Sequence, residues 1–82
     1  MKLYSLDNKF IEKTDAHPYN FTGIVKYMNG NKFWYINGNP HRLDGPACEW
    51  HDGSKSWWID GKKVTELECK LLYDIMKLKG LL

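Results

Sequence analysis

Cys48, Glu49, His51 and Asp52 put a thiol, two carboxylates and an imidazole within one short stretch. A zinc site asks for four ligands, usually in closely spaced pairs. Cys48 and His51 are close in sequence, but strand alternation sends side chains three residues apart to opposite faces. His17, His41 and Cys69 lie elsewhere and form no second pair, so no metal is expected. A Cys-His nucleophile needs a third group to orient the imidazole, and none is placed. Glu49, Asp52 and Asp60 are the candidates for paired acid–base carboxylates. The two aspartates each precede a glycine and read as turn residues, and Glu49 reads as an outward strand position. Every glycine but the last falls in a regular turn pattern, which leaves none for a phosphate loop. Nucleophile, base and stabiliser do not converge, so the chain is read as a non-enzyme without a cofactor.

Binding chemistry is better supplied. Phe33, Tyr35 and Trp58 share one strand face, and Lys32, Lys55, Lys62 and Lys63 are expected at its rim. Aromatic anchors with a polar rim are the usual make-up of a protein interface. The same residues would also suit RNA or a nucleotide, with rings stacking on bases and lysines holding phosphates. A third reading is that the rings are covered and the lysines only keep an edge soluble. His41 and Arg42 complete the expected contact set. They belong to the corner His41-Arg42-Leu43-Asp44-Gly45-Pro46-Ala47, where Pro46 lacks the N–H that closes a two-residue hairpin. Arg42 and Asp44 can brace that corner internally or meet a ligand.

These side chains are positioned by a metre of turns. Gly23, Gly30, Gly38, Gly45, Gly53 and Gly61 recur every seven or eight residues, each after Thr, Asn or Asp. Aromatic and β-branched runs lie between them, the pattern of an antiparallel β-meander. A longer period underlies the metre. Residues 29–38 match 52–61 at a constant offset of 23, and 17–23 match 39–45 at an offset of 22. Two copies of one supersecondary unit follow. Strands are expected over Ile24 to Met28, Lys32 to Ile36, Ala47 to Trp50 and Lys55 to Ile59. Trp34 and Ile36, with Trp57 and Ile59, are assigned to the core face.

Beyond residue 64 the period changes. Thr65-Glu66-Leu67-Glu68 has the form of a capping box. Leu67, Leu71, Ile75 and Leu78 make an apolar stripe at helical spacing, expected to pack on the sheet, with Leu72 and Met76 beside it. Gly80 is the expected stop. At the other end, Leu3, Tyr4 and Leu6 and then Phe10 and Ile11 suggest a strand pair around Asp7-Asn8. The fold class is therefore α+β: one domain over 1–82, with an N-terminal strand region (1–16), a two-copy β-repeat (17–64) and a C-terminal helix (65–80).

Composition sets the outer bounds. A chain of 82 residues buries a small core, and its twelve aromatic rings help to fill it. A net charge of +2 excludes a heavily acidic DNA mimic. Two cysteines without framework spacing, and no long apolar run, suggest a cytoplasmic protein with reduced thiols and no membrane partner. An exposed edge strand would leave homo-oligomerisation open.

The string Trp34 to Ala47, Trp-Tyr-x-Asn-Gly-x-x-His-Arg-x-Asp-Gly-Pro-Ala, resembles units repeated in proteins of tailed bacteriophages and large DNA viruses. More loosely, residues 17–61 are similar to MORN repeats, which pair aromatic strands with Asn-Gly and Asp-Gly turns. The His-Arg-Leu-Asp-Gly-Pro corner is longer than that family's compact turn. The resemblance implies ribbons of hairpins that bind rather than catalyse. It further implies a small viral accessory protein, acting in the host cytoplasm, that binds and inhibits a host defence factor or toxin.

Overall fold

The computed structural model describes all 82 residues. Eight short strands and one helix follow in the order β1 (Lys2–Tyr4), β2 (Phe10–Lys13), β3 (Gly23–Lys26), β4 (Lys32–Ile36), β5 (Asn39–Pro40), β6 (Cys48–Glu49), β7 (Lys55–Ile59), β8 (Lys62–Val64) and α1 (Glu66–Leu78). The sheet runs β2-β1-β3-β4-β6-β7-β8, with β5 paired beside β4, and all pairings are antiparallel. From β3 onward this is the expected meander. The N-terminal hairpin joins it through its first strand, leaving β2 at the edge.

Two kinds of turn alternate along the repeat. At Asn37-Gly38 (φ 49° and 81°) and Asp60-Gly61 (φ 50° and 80°), both central residues take positive φ, the tight hairpin geometry that suits sheet twist. The Asn29-Gly30 and Asp52-Gly53 hairpins are longer. Tyr27 N–H donates to Asn31 O and Gly30 N–H to Tyr27 O, and Trp50, Ser54 and Gly53 repeat both bonds. Ser5, Lys9 and Asn8 make the same pair of bonds, with Asn8 (φ 67°) standing where the later turns have glycine. That first turn escaped the glycine metre because asparagine tolerates the same conformation.

The unit upstream of each tight turn sits in a different register from the one the sequence suggests. Gly38 N–H donates to Phe21 O and Gly61 N–H to Pro40 O; Thr22 Oγ1 accepts from the Asn37 amide as His41 Nδ1 accepts from Asp60. Phe21 and Thr22 are thus the counterparts of Pro40 and His41. The extra residues of the second copy bulge out as the 41–46 corner.

The core occupies both faces of the sheet, which corrects the one-sided assignment. Leu3, Val25, Cys48 and Ser56 are buried on the face of Phe33, Tyr35 and Trp58. Ile24 and Ala47 are buried on the face of Trp34 and Trp57. Trp34 and Trp57 share that second face under different covers. The corner lies over Trp34, and α1 lies beside Trp57, Ile59 and Val64.

The helix begins as expected. Thr65 Oγ1 accepts from Glu68 N–H, and the Glu68 carboxylate accepts from Thr65 N–H, which holds that carboxyl below its usual range. Gly80 (φ 70°) ends it, with Gly80 N–H on Lys77 O and Leu81 N–H on Met76 O. Its orientation differs from the expectation. Cys69 is buried with Leu72, Tyr73 and Met76 partly covered, whereas Leu67, Leu71, Ile75 and Leu78 face solvent at 65, 52, 48 and 88% exposure. On the buried side the single S–H of Cys69 is shared between the carbonyls of Arg42 and Leu43, with Sγ 3.3 and 3.5 Å from the two oxygens.

Glycine substitutions separate strain from crowding. Gly53 (φ 89°) has open space where a Cβ would go, so Gly53→Ala is expected to cost about 1–2 kcal/mol, about 4–8 °C of Tm for each kcal/mol. A Cβ on Gly38 (φ 81°) would lie 1.9 Å from Tyr19 O and force the backbone apart. Gly38→Ala should lower Tm at least twice as far in the same melting experiment.

Candidate functional site

The expected aromatic surface is a packed ring cluster. Phe33 lies between Tyr27 and Trp50, edge to face, with centroids 5.5 and 5.7 Å away. Tyr35 is met by the His17 ring at 5.2 Å, and His17 also leans on Phe21 at 6.0 Å. Trp58 Nε1–H donates to the buried Ser56 hydroxyl at 2.7 Å. Burial pushes the Tyr35 phenol above its ordinary pKa, with Tyr27 and Cys48 adding to the effect. Phe33, Tyr35 and Trp58 are all half-buried, and none lines a surface cleft. Tyr27, Trp50 and His17 were not expected here. The 23-residue offset pairs Tyr27 with Trp50 and could have shown two of them.

The lysines expected at the rim of these rings are mostly on the other side. Lys32 pairs with Lys26, Lys55 with Glu49, and Lys62 with Ile59, all on the Trp34/Trp57 face. Only Lys63, opposite Trp58, shares the aromatic face. The reason is the two-residue period of a strand: Lys32 is adjacent to Phe33, and neighbours point opposite ways. A combined ring-and-lysine groove for RNA or nucleotide is therefore not assembled from these residues.

His41 and Arg42 are drawn into the corner. The Arg42 guanidinium lies 4.0 Å from the Trp34 ring centroid. Its Nε donates to Asp44 at 3.0 Å, and Nη1 donates to Pro46 O at 3.1 Å and to Glu49 at 3.3 Å. The Arg42 backbone N–H donates to Trp58 O and its carbonyl accepts from Cys69, so one residue ties β4, β6, β7 and α1 together. Arg42 keeps its corner-bracing role. His41 Nδ1 accepts the Asp60 amide at 3.0 Å and thereby holds the second tight turn.

The reactive side chains have structural partners of their own. Burial raises both thiol pKa values; Ser56 partly offsets this at Cys48, while at Cys69 the Asp44 charge adds to it and Arg42 opposes it. Asp52 accepts from the Ser54 hydroxyl and amide, which hold its carboxyl below the ordinary range and close a turn. Glu49 is paired with Arg42 and Asp60 lies beside His41. No three His, Cys, Asp or Glu side chains gather where a metal ion could be held. No helix is long and apolar enough to cross a membrane.

Two surfaces remain chemically distinctive: the solvent-facing stripe of α1 and a line of lysines across the Trp34/Trp57 face. Both depend on the corner that anchors Cys69 and Glu49. Arg42→Lys keeps the charge but loses the planar fork, and is expected to destabilise by about 1–3 kcal/mol. Urea unfolding checks this as a lower midpoint at unchanged slope. No protein-family model matches the chain, and no curated protein or solved structure is matched by it.

Proposed function

We propose that this chain is a non-enzymatic binding protein that docks on a partner protein through the outer stripe of α1. The reading is carried by one observation: Leu67, Leu71, Ile75 and Leu78 are exposed together on a helix whose opposite side is anchored to the sheet. An exposed apolar face of this kind marks an interaction surface. Spacing at i, i+4, i+8 and i+11 is how an amphipathic helix lies in a partner's apolar groove. The resemblance of residues 34–47 to phage and large-virus repeat units supports a host defence factor or toxin as that partner. Inhibition would follow from occupying the groove, in the host cytoplasm.

The order of charges beside the stripe favours a second reading, an antiparallel pair of α1 helices from two copies. Glu66 and Lys70 come early in the helix and Asp74 and Lys77 late. Reversing one helix against another sets Glu66 by Lys77 and Lys70 by Asp74, each pair of opposite sign, with opposed helix dipoles.

Leu71→Glu tests the surface. Its side chain is half exposed, so the melting temperature is expected to stay close to wild type. Capture of a partner from nuclease-treated host extract should fall at least tenfold. Unchanged capture would remove the stripe from the function. Sedimentation separates the second reading: a dimer lost in Lys70→Glu and regained in Lys70→Glu/Asp74→Lys would establish helix pairing between copies.

A further inference from the structure

The strand register lines up lysines from consecutive strands. Lys13 of β2 pairs with Lys2 of β1, Lys2 with Lys26 of β3, and Lys26 with Lys32 of β4. Lys32 then pairs with Glu49 of β6, and Glu49 with Lys55 of β7. Directly paired residues share a face, so five lysines and one glutamate form a single row across six strands. At the usual interstrand spacing the row is about 24 Å long.

Folding alone gives no reason for this row. Like charges directly opposite one another in a sheet are destabilising. Lysines do protect sheet edges from stray pairing. That accounts for Lys13 on β2, but Lys2, Lys26 and Lys32 lie on interior strands. Nor are the charges neutralised within the chain. The protein's ion pairs are Lys9–Asp7, His41–Asp60, Arg42–Asp44 and Arg42–Glu49, and none involves a lysine of the row. Glu49, the one carboxylate in line, is drawn toward Arg42. Lys26 Nζ is steadied by Asn8 Oδ1 at 2.7 Å and by the Tyr4 ring at 4.1 Å, and both contacts leave its charge intact. At the β1/β2 end, Lys2, Lys13 and Lys26 wall a cleft of about 380 Å³ together with Met1, Tyr27 and Met28.

We propose that this row binds the phosphate backbone of single-stranded nucleic acid. A straight line of cations on a broad sheet suits a chain that bears one charge per residue and can lie extended across it. Ammonium groups act as point charges and need no fixed acceptor geometry, so recognition is independent of sequence. The site is separate from the helix stripe and does not rest on the partner-protein reading.

The test is the anisotropy of a labelled oligouridylate of about twelve nucleotides, titrated between about 50 and about 200 mM salt. With five lysines engaged, the slope of log Kobs on log salt is expected near −3.5, and Lys2→Gln/Lys26→Gln/Lys32→Gln should reduce its magnitude by about 2. Because that variant relieves repulsion, it should melt at or above the wild-type temperature. Lys9→Gln/Lys63→Gln/Lys79→Gln removes equal charge off the row and should retain binding. The proposal is overturned if both triple variants weaken binding alike, if polyglutamate of equal length competes as well as the oligonucleotide, or if the wild type shows no salt-dependent binding. A duplex bound more tightly than the single strand would also overturn it.

Discussion

The Arg42 guanidinium rests on the Trp34 ring and reaches Asp44, the Pro46 carbonyl and Glu49 at once. A domain of this size has a total stability of roughly 4–12 kcal/mol. A partly exposed cation–π contact contributes about 0.5–2 kcal/mol, and a charge-assisted hydrogen bond about 1.5–3 kcal/mol. One side chain therefore carries a large share of what holds the corner in place. Its main chain extends that reach, donating to Trp58 and accepting from Cys69. The molecule is thin, 38 × 26 × 19 Å, and its surface of 5673 Å² exceeds the roughly 5,100 Å² usual for its mass. With so little interior, polar clamping at one corner substitutes for depth of core.

Much of the architecture was legible because turns constrain the chain locally. Asn-Gly and Asp-Gly pairs announce positive φ, and the 23-residue offset between Trp34 and Trp57 survives in the register: Val25 faces Phe33 as Cys48 faces Ser56. The helix limits were equally readable, since the Thr65–Glu68 cap and the Gly80 stop are contacts among near neighbours. Less legible was the placing of residues 17–22 against 39–45. The sequence match there aligns glycines, whereas the structure aligns the acceptors that close the next turn, Phe21 O with Pro40 O. A hydrogen bond from Gly38 across to residue 21 leaves no trace in a pattern of residue types.

The helix shows why periodicity alone misplaces a face. Two stripes on α1 have helical spacing: Leu67, Leu71, Ile75 and Leu78, and Cys69, Leu72, Tyr73 and Met76. The first is the more hydrophobic and was expected to be the core. The buried stripe carries Cys69, whose one S–H lies within reach of the Arg42 and Leu43 carbonyls, a polar contact that a leucine there could not make. The lysines were displaced from the ring face for a related reason. Lys32 adjoins Phe33, and Lys55 lies three residues before Trp58; with a two-residue strand period, both odd separations point to opposite faces.

The corner and the charged row are also coupled. Glu49 stands in the row between Lys32 and Lys55, where a free carboxylate would offset the neighbouring ammonium groups. Arg42 turns that carboxylate to its own use, and Asp44 and the Pro46 carbonyl hold the guanidinium where it can do so. The ion pair that secures β6 to the corner therefore also leaves the lysine row strongly positive. Like-charge repulsion across β1, β3 and β4 is tolerated because the buried side chains Leu3, Ile24 and Val25 hold those strands together. The row is thus maintained by packing beneath it and by an arginine at its far end, and a change at either place alters its field without touching a lysine.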